Sequence, residues 1–225
     1  MTAIQENPQQ ATAAMLKTQF DRQRASYLAA PNPDYQQRKE DLSKLKRMIT
    51  ENIDDIISAI STDYGNRSRH ESQFAEIISV CGDIDSVSKN LKKWMKVQKR
   101  HVDMTLFPGA KNRVIPQPLG VVGLIVPWNF PVNLCFSQLA AAFAAGNRAM
   151  VKMSENSITL TRLLQQISGR YFPEDKLVFF EETGGVGVEF SQVPFDLIFF
   201  TGSGQTGRLV MASAAKNLTP VVLEL

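Results

Sequence analysis

The sequence feature that most constrains the fold is a regular alternation of short apolar runs with helix-like segments over the second half of the chain. The five strand-like runs are VVGLIVP (121–127), RAMVKM (148–153), KLVFFE (176–181), DLIFFT (196–201) and TPVVLEL (219–225). Apolar strands separated by helices are typical of βαβ units, in which helices cover both faces of a parallel sheet. The pattern therefore predicts an α/β fold with a doubly wound, mainly parallel sheet over residues 111–225, entered through an irregular or two-stranded stretch at NRVIPQPLG.

The preceding part of the chain has helical periodicity instead. Apolar residues from Leu42 to Ile60 recur at steps of three and four, which predicts one helix that begins at NPDYQQ and ends at DYGN. A second helix is predicted over residues 71–96. We expect residues 1–10 to be disordered and residues 11–110 to form a helical N-terminal part of the same domain.

Composition argues against several classes of protein. The 25 basic and 22 acidic residues give a net charge of +3, which is too even a balance to predict a nucleic-acid partner. The N-terminus has no basic start followed by an apolar run, and the apolar stretches are too short to span a bilayer. The basic run LKKWMKVQKRH favours the solvated end of a helix over a membrane-surface patch. We therefore predict a cytoplasmic protein without a membrane partner.

Cysteine and histidine are too sparse to predict a disulfide framework or a metal site. Cys81 lies on the apolar face of the second predicted helix, and Cys135 lies in the apolar segment VNLCFSQLAAAF, so we interpret both as structural residues. Their dissimilar contexts argue against a disulfide and fit a reducing compartment. His70 and His101 lack the spacing of metal ligands, so no metal is predicted.

A glycine motif follows the fourth strand-like run. In DLIFFTGSGQTGRLV, Gly202, Gly204 and Gly207 have the spacing G-x-G-x-x-G of a dinucleotide-binding turn. Glu224 lies 17 residues beyond the last glycine, near the position of a ribose-binding acid. The motif follows the fourth strand rather than the first, however. It therefore indicates a phosphate near a helix N-terminus, or only a tight turn between strand and helix.

The turn after the first strand-like run has a different character. In PWNFP, Asn129 lies between Pro127 and Pro131, which together fix much of the local backbone. Such rigidity suits either a preorganised amide donor or a turn that needs an asparagine.

Taken together, PWNFP, VKMSEN, FTGS and the final LEL resemble the aldehyde dehydrogenase superfamily in their order and spacing. The segment AAKNLTPVVLEL and the short helical N-terminus look like the class 3 branch of that superfamily. QPLGVVGLIVPWNFPVNL and FAAGNRAMVKMSENS look most similar to the bacterial coniferyl aldehyde dehydrogenases within it. The resemblance runs from about residue 40 to the end of the sequence.

The resemblance implies an enzyme that oxidises an aldehyde to a carboxylic acid with NAD or NADP, through a cysteine thioester. It implies that the side-chain amide of Asn129 donates a hydrogen bond to the oxyanion that forms when the cysteine attacks the aldehyde. Such a donor must be held in position in advance, which explains the two flanking prolines. It also implies that Glu224 is the general base for the deacylating water, rather than a ribose ligand. Partial burial is expected to suit Glu224 to that role.

The same resemblance implies a Rossmann-like cofactor site. Lys152 and Glu155 would hold the adenosine ribose. Glu155 should disfavour a 2′-phosphate, so NAD is the expected cofactor and NADP is the alternative. The remaining residues implied at the cofactor are the cleft and pyrophosphate contacts Val126, Trp128 and Ser203 and the turn residues Gly202, Gly204, Gln205, Thr206 and Gly207.

The nucleophilic cysteine of the family lies in a later segment, which this sequence does not contain. We therefore expect an NAD(P)-binding domain that is truncated before the catalytic domain. Its helical part would be residues 11–110 and its α/β part residues 111–225. The chain by itself is expected to be inactive. A small-molecule aldehyde, aromatic or aliphatic, and a homodimer of the full-length protein are the implied partners. The alternative is a non-catalytic nucleotide-binding module or an inactive remnant.

Overall fold

The computed structural model describes residues 8–225, and its N-terminal part is helical as predicted. The helices of this part are α1 (Pro8–Ala29), α2 (Tyr35–Thr50), α3 (Ile53–Asp63), α4 (Arg69–Glu71), a π-helical segment (Ser72–Ile78) and α5 (Ser79–Trp94). Of the segment expected to be disordered, residues 1–7 lie outside the described residues, whereas residues 8–10 form the first turn of α1, so the expectation is wrong for those three.

The single helix predicted between NPDYQQ and DYGN is two helices, so that prediction is wrong in one respect. The break falls at Asn52, which is 5% exposed. Its side-chain amide donates to the Met48 carbonyl at 2.9 Å and to the Tyr171 hydroxyl at 3.0 Å, and its oxygen accepts from Arg170 at 2.7 Å. Asparagine side chains that bond the backbone in this way compete with helix continuation. The distant partners fix the break between α2 and α3.

The second predicted helix is confirmed in extent, because α4, the π-helical segment and α5 run without interruption from residue 69 to 94. After it, β1 (Gln98–Arg100) and β2 (Asn112–Val114) form an antiparallel pair, which confirms in part the two-stranded stretch.

The α/β part confirms the predicted doubly wound sheet. Its elements are β3 (Val121–Ile125), α6 (Pro131–Ala145), β4 (Arg148–Lys152), α7 (Ile158–Ser168), β5 (Leu177–Phe180), α8 (Val186–Gln192), β6 (Leu197–Thr201), α9 (Gly204–Ala215) and β7 (Val221–Glu224). The five strands are all parallel in the order β5-β4-β3-β6-β7. The chain therefore builds the sheet outward from β3 in one direction and then in the other.

Alternation along β3 divides the core between the two faces of the sheet. Val121 and Ile125 pack with α1, α8 and α9, whereas Val122 and Leu124 pack with α2, α3, α5, α6 and α7. Because both faces of β3, β4 and β5 are largely buried, their central residues are apolar, which is why the sequence pattern identified them. Within residues 8–225 no helix is both long and apolar enough to cross a bilayer.

Candidate active site at the carboxyl edge of the sheet

Most of the residues singled out in the sequence follow the carboxyl ends of strands, and the register brings those ends to one edge. Ile125 at the end of β3 is in register with Lys152 of β4 and Phe200 of β6, and Thr201 of β6 is in register with Glu224 of β7. The strand order reverses between β3 and β6. In open α/β sheets the ligand crevice lies at such a reversal, outside the carboxyl ends of the strands.

The turn between β3 and α6 carries Val126, Trp128 and Asn129 at this edge. The Val126 amide donates to the Lys152 carbonyl at 3.0 Å, which continues the sheet by one bond. Trp128 is 58% exposed, and Asn129 is exposed as well. Pro131 is the first residue of α6, where its lack of an N–H costs no hydrogen bond. The Asn129 amide is therefore presented to solvent from a backbone that is fixed on both sides.

An ion pair that the sequence analysis missed holds this turn from the helical part. The Arg67 guanidinium donates to the Asn129 carbonyl at 2.8 Å, lies 4.7 Å from the centroid of the Phe130 ring and bonds Glu76 Oε1 at 3.1 Å. Glu76 Oε2 accepts the backbone N–H groups of Val132 at 3.0 Å and Asn133 at 2.8 Å. We call Arg67 and Glu76 the clamp. It satisfies first-turn amides of α6 and fixes the backbone of Asn129 at once.

The electrostatics of the clamp are unusual because Glu76 is completely buried. Burial raises the pKa of the Glu76 carboxyl to about 7, against the opposing N–H groups of Asn133 and Val132 and the charge of Arg67. A sequence signal existed, since Glu76 shares the buried stripe of Val80 and Ile84 at steps of four. A carboxylate in an apolar stripe marks a residue with a partner elsewhere in the fold.

Lys152, predicted as a ribose ligand, is buried at the end of β4. Its Nζ lies 3.0 Å from Glu182 Oε2 and 3.9 Å from Glu155 Oε2. Glu182 follows β5 and was missed in the sequence analysis, although an acid after the strand next to β4 was a usable signal. Its carboxylate also accepts the N–H groups of Gly184 at 3.0 Å and Gly187 at 2.8 Å. Burial opposes its ionisation, but the hydrogen bond and charge of Lys152 together with the N–H groups of Gly187 and Gly184 outweigh burial and lower the pKa of Glu182.

The glycine turn lies across the strand-order reversal from Lys152. Ser203 is the N-cap of α9, and its hydroxyl accepts the Thr206 N–H at 3.2 Å. The predicted turn residues Gly204 and Gln205 open α9. A Cβ at Gly202 would lie 2.6 Å from the Phe200 ring, so packing alone requires a glycine there. Gly202 is therefore required by packing, and the N-terminus of α9 beside the crevice can in addition bind an anion.

Glu224 lies at the same edge but away from the Asn129 turn. It ends β7, its carbonyl accepts the Gly202 N–H at 3.0 Å, and its side chain is exposed. β6 lies between β7 and β3, which places Glu224 two strand spacings, roughly 10 Å, from the end of β3. The expected partial burial of the Glu224 carboxylate is therefore wrong for this chain, because no described residue covers the outer side of β7.

The two cysteines are not placed to act as nucleophiles in the crevice. Cys135 is completely buried in α6, and burial raises the pKa of its thiol. Cys81 is half-buried against the main core, and burial raises its pKa too. A raised pKa leaves little thiolate near neutral pH, and thiolate is the nucleophilic form. Neither cysteine within residues 8–225 is suited to attack a carbonyl.

A cavity of about 860 Å³ lies at the opposite, amino edge of the sheet. It is bordered by Arg148 at the start of β4 and by Lys176, whose Nζ bonds Asp41 at 2.7 Å and the Asn147 carbonyl at 3.0 Å. Its buried cation is already paired, and it contains none of the predicted site residues. The cavity is therefore not the candidate active site.

Comparison with known proteins agrees with this architecture. The aldehyde dehydrogenase family profile matches residues 3–225. A probable coniferyl aldehyde dehydrogenase of Pseudomonas aeruginosa is 46% identical over 210 residues, which are 93% of this chain and 44% of that protein. This chain thus spans less than half the length of that relative.

Solved structures show the same partial coverage. The structure described as the substrate-bound state of Staphylococcus aureus AldH has a TM-score of 0.88 and 32% identity, covering 93% of this chain and 45% of that one. An aldehyde dehydrogenase of Mycobacterium tuberculosis complexed with NAD+ has a TM-score of 0.82 at 24% identity, covering 95% and 44%. The second likeness concerns the fold alone. With the family profile matched over almost the whole sequence, the chain belongs to the aldehyde dehydrogenase family.

Proposed function

We propose that this chain is the N-terminal, cofactor-binding part of an NAD(P)-dependent aldehyde dehydrogenase that converts an aldehyde to a carboxylic acid through a cysteine thioester. The observation that carries the proposal is the meeting of the Asn129 turn, Lys152 and the glycine turn on either side of one strand-order reversal. That is the place where doubly wound sheets bind nucleotides. Family membership supplies the reaction class.

The side chains at this edge suit a nicotinamide dinucleotide. Lys152 and Glu155 together offer a donor and an acceptor for a ribose diol at the end of the second strand. The N-terminus of α9, capped by Ser203, favours the pyrophosphate, and Trp128 offers an exposed ring at the same edge of the sheet. Val126 would line the cleft through its backbone, and the residues from Gly202 to Gly207 would form the turn beneath the pyrophosphate. When bound, the cofactor would accept the hydride of the aldehyde.

Asn129 is assigned as the oxyanion donor. A donor of this kind is effective when it is fixed in advance where negative charge develops, and the prolines and the clamp supply that fixation. In the complete enzyme, Asn129→Ala should lower turnover about 100- to 1000-fold. Asn90→Ala, an equal change on the exposed surface of α5, is the control and should leave turnover unchanged. An Asn129→Ala enzyme of full activity would overturn the assignment.

Glu224 is assigned as the general base for deacylation. Glu224→Gln should leave nucleotide binding intact and stop the reaction after one acylation, seen as a single burst of NADH. If Glu224 binds the ribose instead, the same variant should lose affinity for NAD and show no trapped acyl-enzyme. The two roles are therefore separable in one variant.

The attacking cysteine is assigned to residues outside this sequence, and the chain by itself is expected to be inactive. Support comes from the burial of Cys135 and the raised pKa of both cysteines. The proposal is tested by aldehyde-dependent NADH formation in the product of the native host. A native product of 25.1 kDa without such activity would favour the second candidate, a nucleotide-binding module that performs no chemistry.

The substrate is proposed to be a small aldehyde, with coniferyl or another aromatic aldehyde suggested by the name of the Pseudomonas relative. Kinetics with aromatic and medium-chain aliphatic aldehydes would decide between them. A homodimer of the complete enzyme and a cytoplasmic location stay predictions from the sequence.

A further inference from the structure

We propose that Glu182 sets the cofactor preference of this protein: it holds Lys152 in a buried ion pair where the adenosine ribose would lie, so that NAD is accepted and the 2′-phosphate of NADP is rejected. The inference rests on the proposed function, because it takes the end of β4 as the ribose site. It concerns a residue that lies outside the set identified from the sequence.

The Lys152–Glu182 pair is built into the fold rather than formed on its surface. The side chains of Lys152 and Glu182 are 9% and 14% exposed, and Nζ lies 3.0 Å from Oε2. Three backbone N–H groups, from Gly184, Val186 and Gly187, fix the carboxylate at 3.0, 3.0 and 2.8 Å. A carboxylate with this many donors stays ionised and keeps its position.

Because Gly187 has no side chain, it leaves space for the Lys152–Glu182 ion pair. A Cβ at this position would lie 3.1 Å from Glu182 Oε2 and 3.4 Å from Lys152 Nζ. The first contact is tighter than ordinary packing, so a larger residue would push the carboxylate or the ammonium away. The turn before α8 thus accommodates the ion pair at close range.

The charges around Lys152 discriminate between a hydroxyl and a phosphate. The ammonium faces two carboxylates, Glu182 at 3.0 Å and Glu155 at 3.9 Å, so the three groups carry a net charge of −1. A ribose 2′-hydroxyl can accept from Lys152 and donate to a carboxylate without changing that balance. A 2′-phosphate would bring up to two more negative charges toward both carboxylates, and like charges at this range repel strongly. Lys152 cannot compensate fully because Glu182 already holds it.

Glu155 and Glu182 differ in what each contributes. Glu155 is exposed, so its side chain can turn toward solvent and its charge is screened. Glu182 is enclosed and fixed by the backbone, so its charge persists when a nucleotide enters. The enclosed carboxylate should therefore contribute more to the rejection of a 2′-phosphate.

The test compares two nucleotide fragments that differ only in the 2′-phosphate, 5′-AMP and 2′,5′-ADP, with binding to the complete protein measured by calorimetry. The wild-type protein should bind 5′-AMP more tightly. Glu182→Gln should shift the ratio of the two dissociation constants toward 2′,5′-ADP by about tenfold or more. Glu182→Asp, which keeps the charge, should keep most of the wild-type preference.

Glu181→Gln is the matched control, since it removes an equal charge one residue away. Glu181 pairs with Arg162 at 2.9 Å instead of facing Lys152. This variant should leave the ratio within about twofold of wild type, because Glu181 is paired with Arg162, whose side chain is 68% exposed, and has no ion pair with Lys152 among the described residues. Equal shifts in Glu181→Gln and Glu182→Gln would mean that general charge, not Glu182, governs the ratio.

The outcomes separate the inference from the function it rests on. If wild type binds 5′-AMP and Glu182→Gln leaves the ratio unchanged, the inference is overturned and the cofactor site stands. If wild type binds neither fragment, the site and the inference both fall. Should Glu182→Gln unfold, wild type decides alone. A preference for 5′-AMP that persists in added salt supports the inference, because salt screens the exposed Glu155 more than the enclosed Glu182. A preference that salt abolishes, or a preference for 2′,5′-ADP, overturns it.

Discussion

The two residues assigned to catalysis, Asn129 and Glu224, share an edge of the sheet but differ in what holds them. The Asn129 turn is fixed by Pro131 and by the buried clamp of Arg67 and Glu76. Glu224 ends a strand whose one partner among residues 8–225 is β6, and its side chain is exposed. The end of a strand is therefore enough to position a residue at the crevice. Holding its backbone rigid, as at Asn129, requires contacts with residues far away in the sequence.

The largest effect is expected on breaking the clamp with Arg67→Met. Glu76 would then be buried beside first-turn amides but without its cation, which typically lowers the free energy of unfolding by about 3–5 kcal/mol. Chemical unfolding at pH 8 measures the loss, and the loss should shrink at pH 5 to 6, where Glu76 binds a proton.

Arg69→Met is the control for that substitution. Arg69 lies two residues away, is 57% exposed and pairs with Asp54 on the surface, so its loss should cost at most about 1 kcal/mol. Equal costs at the two positions would contradict the role given to the clamp.

The stability of the folded chain should depend on pH through Glu76. The pKa of Glu76 is about 7 in the folded chain against an ordinary value of 4.5. Between these values the folded state binds more protons than the unfolded state, so the free energy of unfolding should fall as pH rises from 4.5 to 7. The contribution is about 3 kcal/mol, and Glu76→Gln should remove it. A Glu76→Gln variant with the wild-type slope would show that other groups produce the dependence.

A pair of glycine substitutions compares the two sides of the sheet directly. Gly123→Ala on β3 would place a Cβ 2.6 Å from the enclosed Phe195 ring, which should cost about 1–3 kcal/mol of unfolding free energy. Gly207→Ala on α9 would bring a Cβ to 2.7 Å from Leu225, which is 70% exposed and can turn away, and to an ordinary contact of 3.5 Å with the Phe200 ring. Alanine also favours the helix by about 1 kcal/mol. Thermal unfolding should therefore rank Gly207→Ala at or above wild type. The opposite ranking would mean that the β7 side is the more rigidly packed.

The smallest effect is expected for Glu224→Gln. An exposed side chain at a strand end touches little, so the free energy of unfolding should change by less than about 0.5 kcal/mol. A change above about 2 kcal/mol in the same denaturant titration would reveal contacts that the exposed position does not suggest.

The sequence was sufficient for the sheet and for the placement of most proposed site residues. The strands β3, β4 and β5 are largely buried on both faces, so their apolar runs stand out. Lys152 ends β4, and Asn129 lies in the turn that follows β3. What could not be predicted depends on contacts between distant residues. Arg67 reaches Asn129 across 62 positions, and Asn52 breaks the predicted helix with a partner 119 positions away. Glu182 is a different case, because an acid shortly after the third strand-like run is visible in the sequence; the pairing of β4 with β5 then brings it to Lys152.

Binding of the nucleotide at the carboxyl edge of the sheet can be measured by hydrogen exchange with and without NAD. Exchange should slow in residues 126–131, 152–156 and 202–207, and stay unchanged in residues 32–37 and 171–176 around the cavity at the opposite edge. Protection confined to that opposite edge, or no protection anywhere at saturating NAD, would contradict the account.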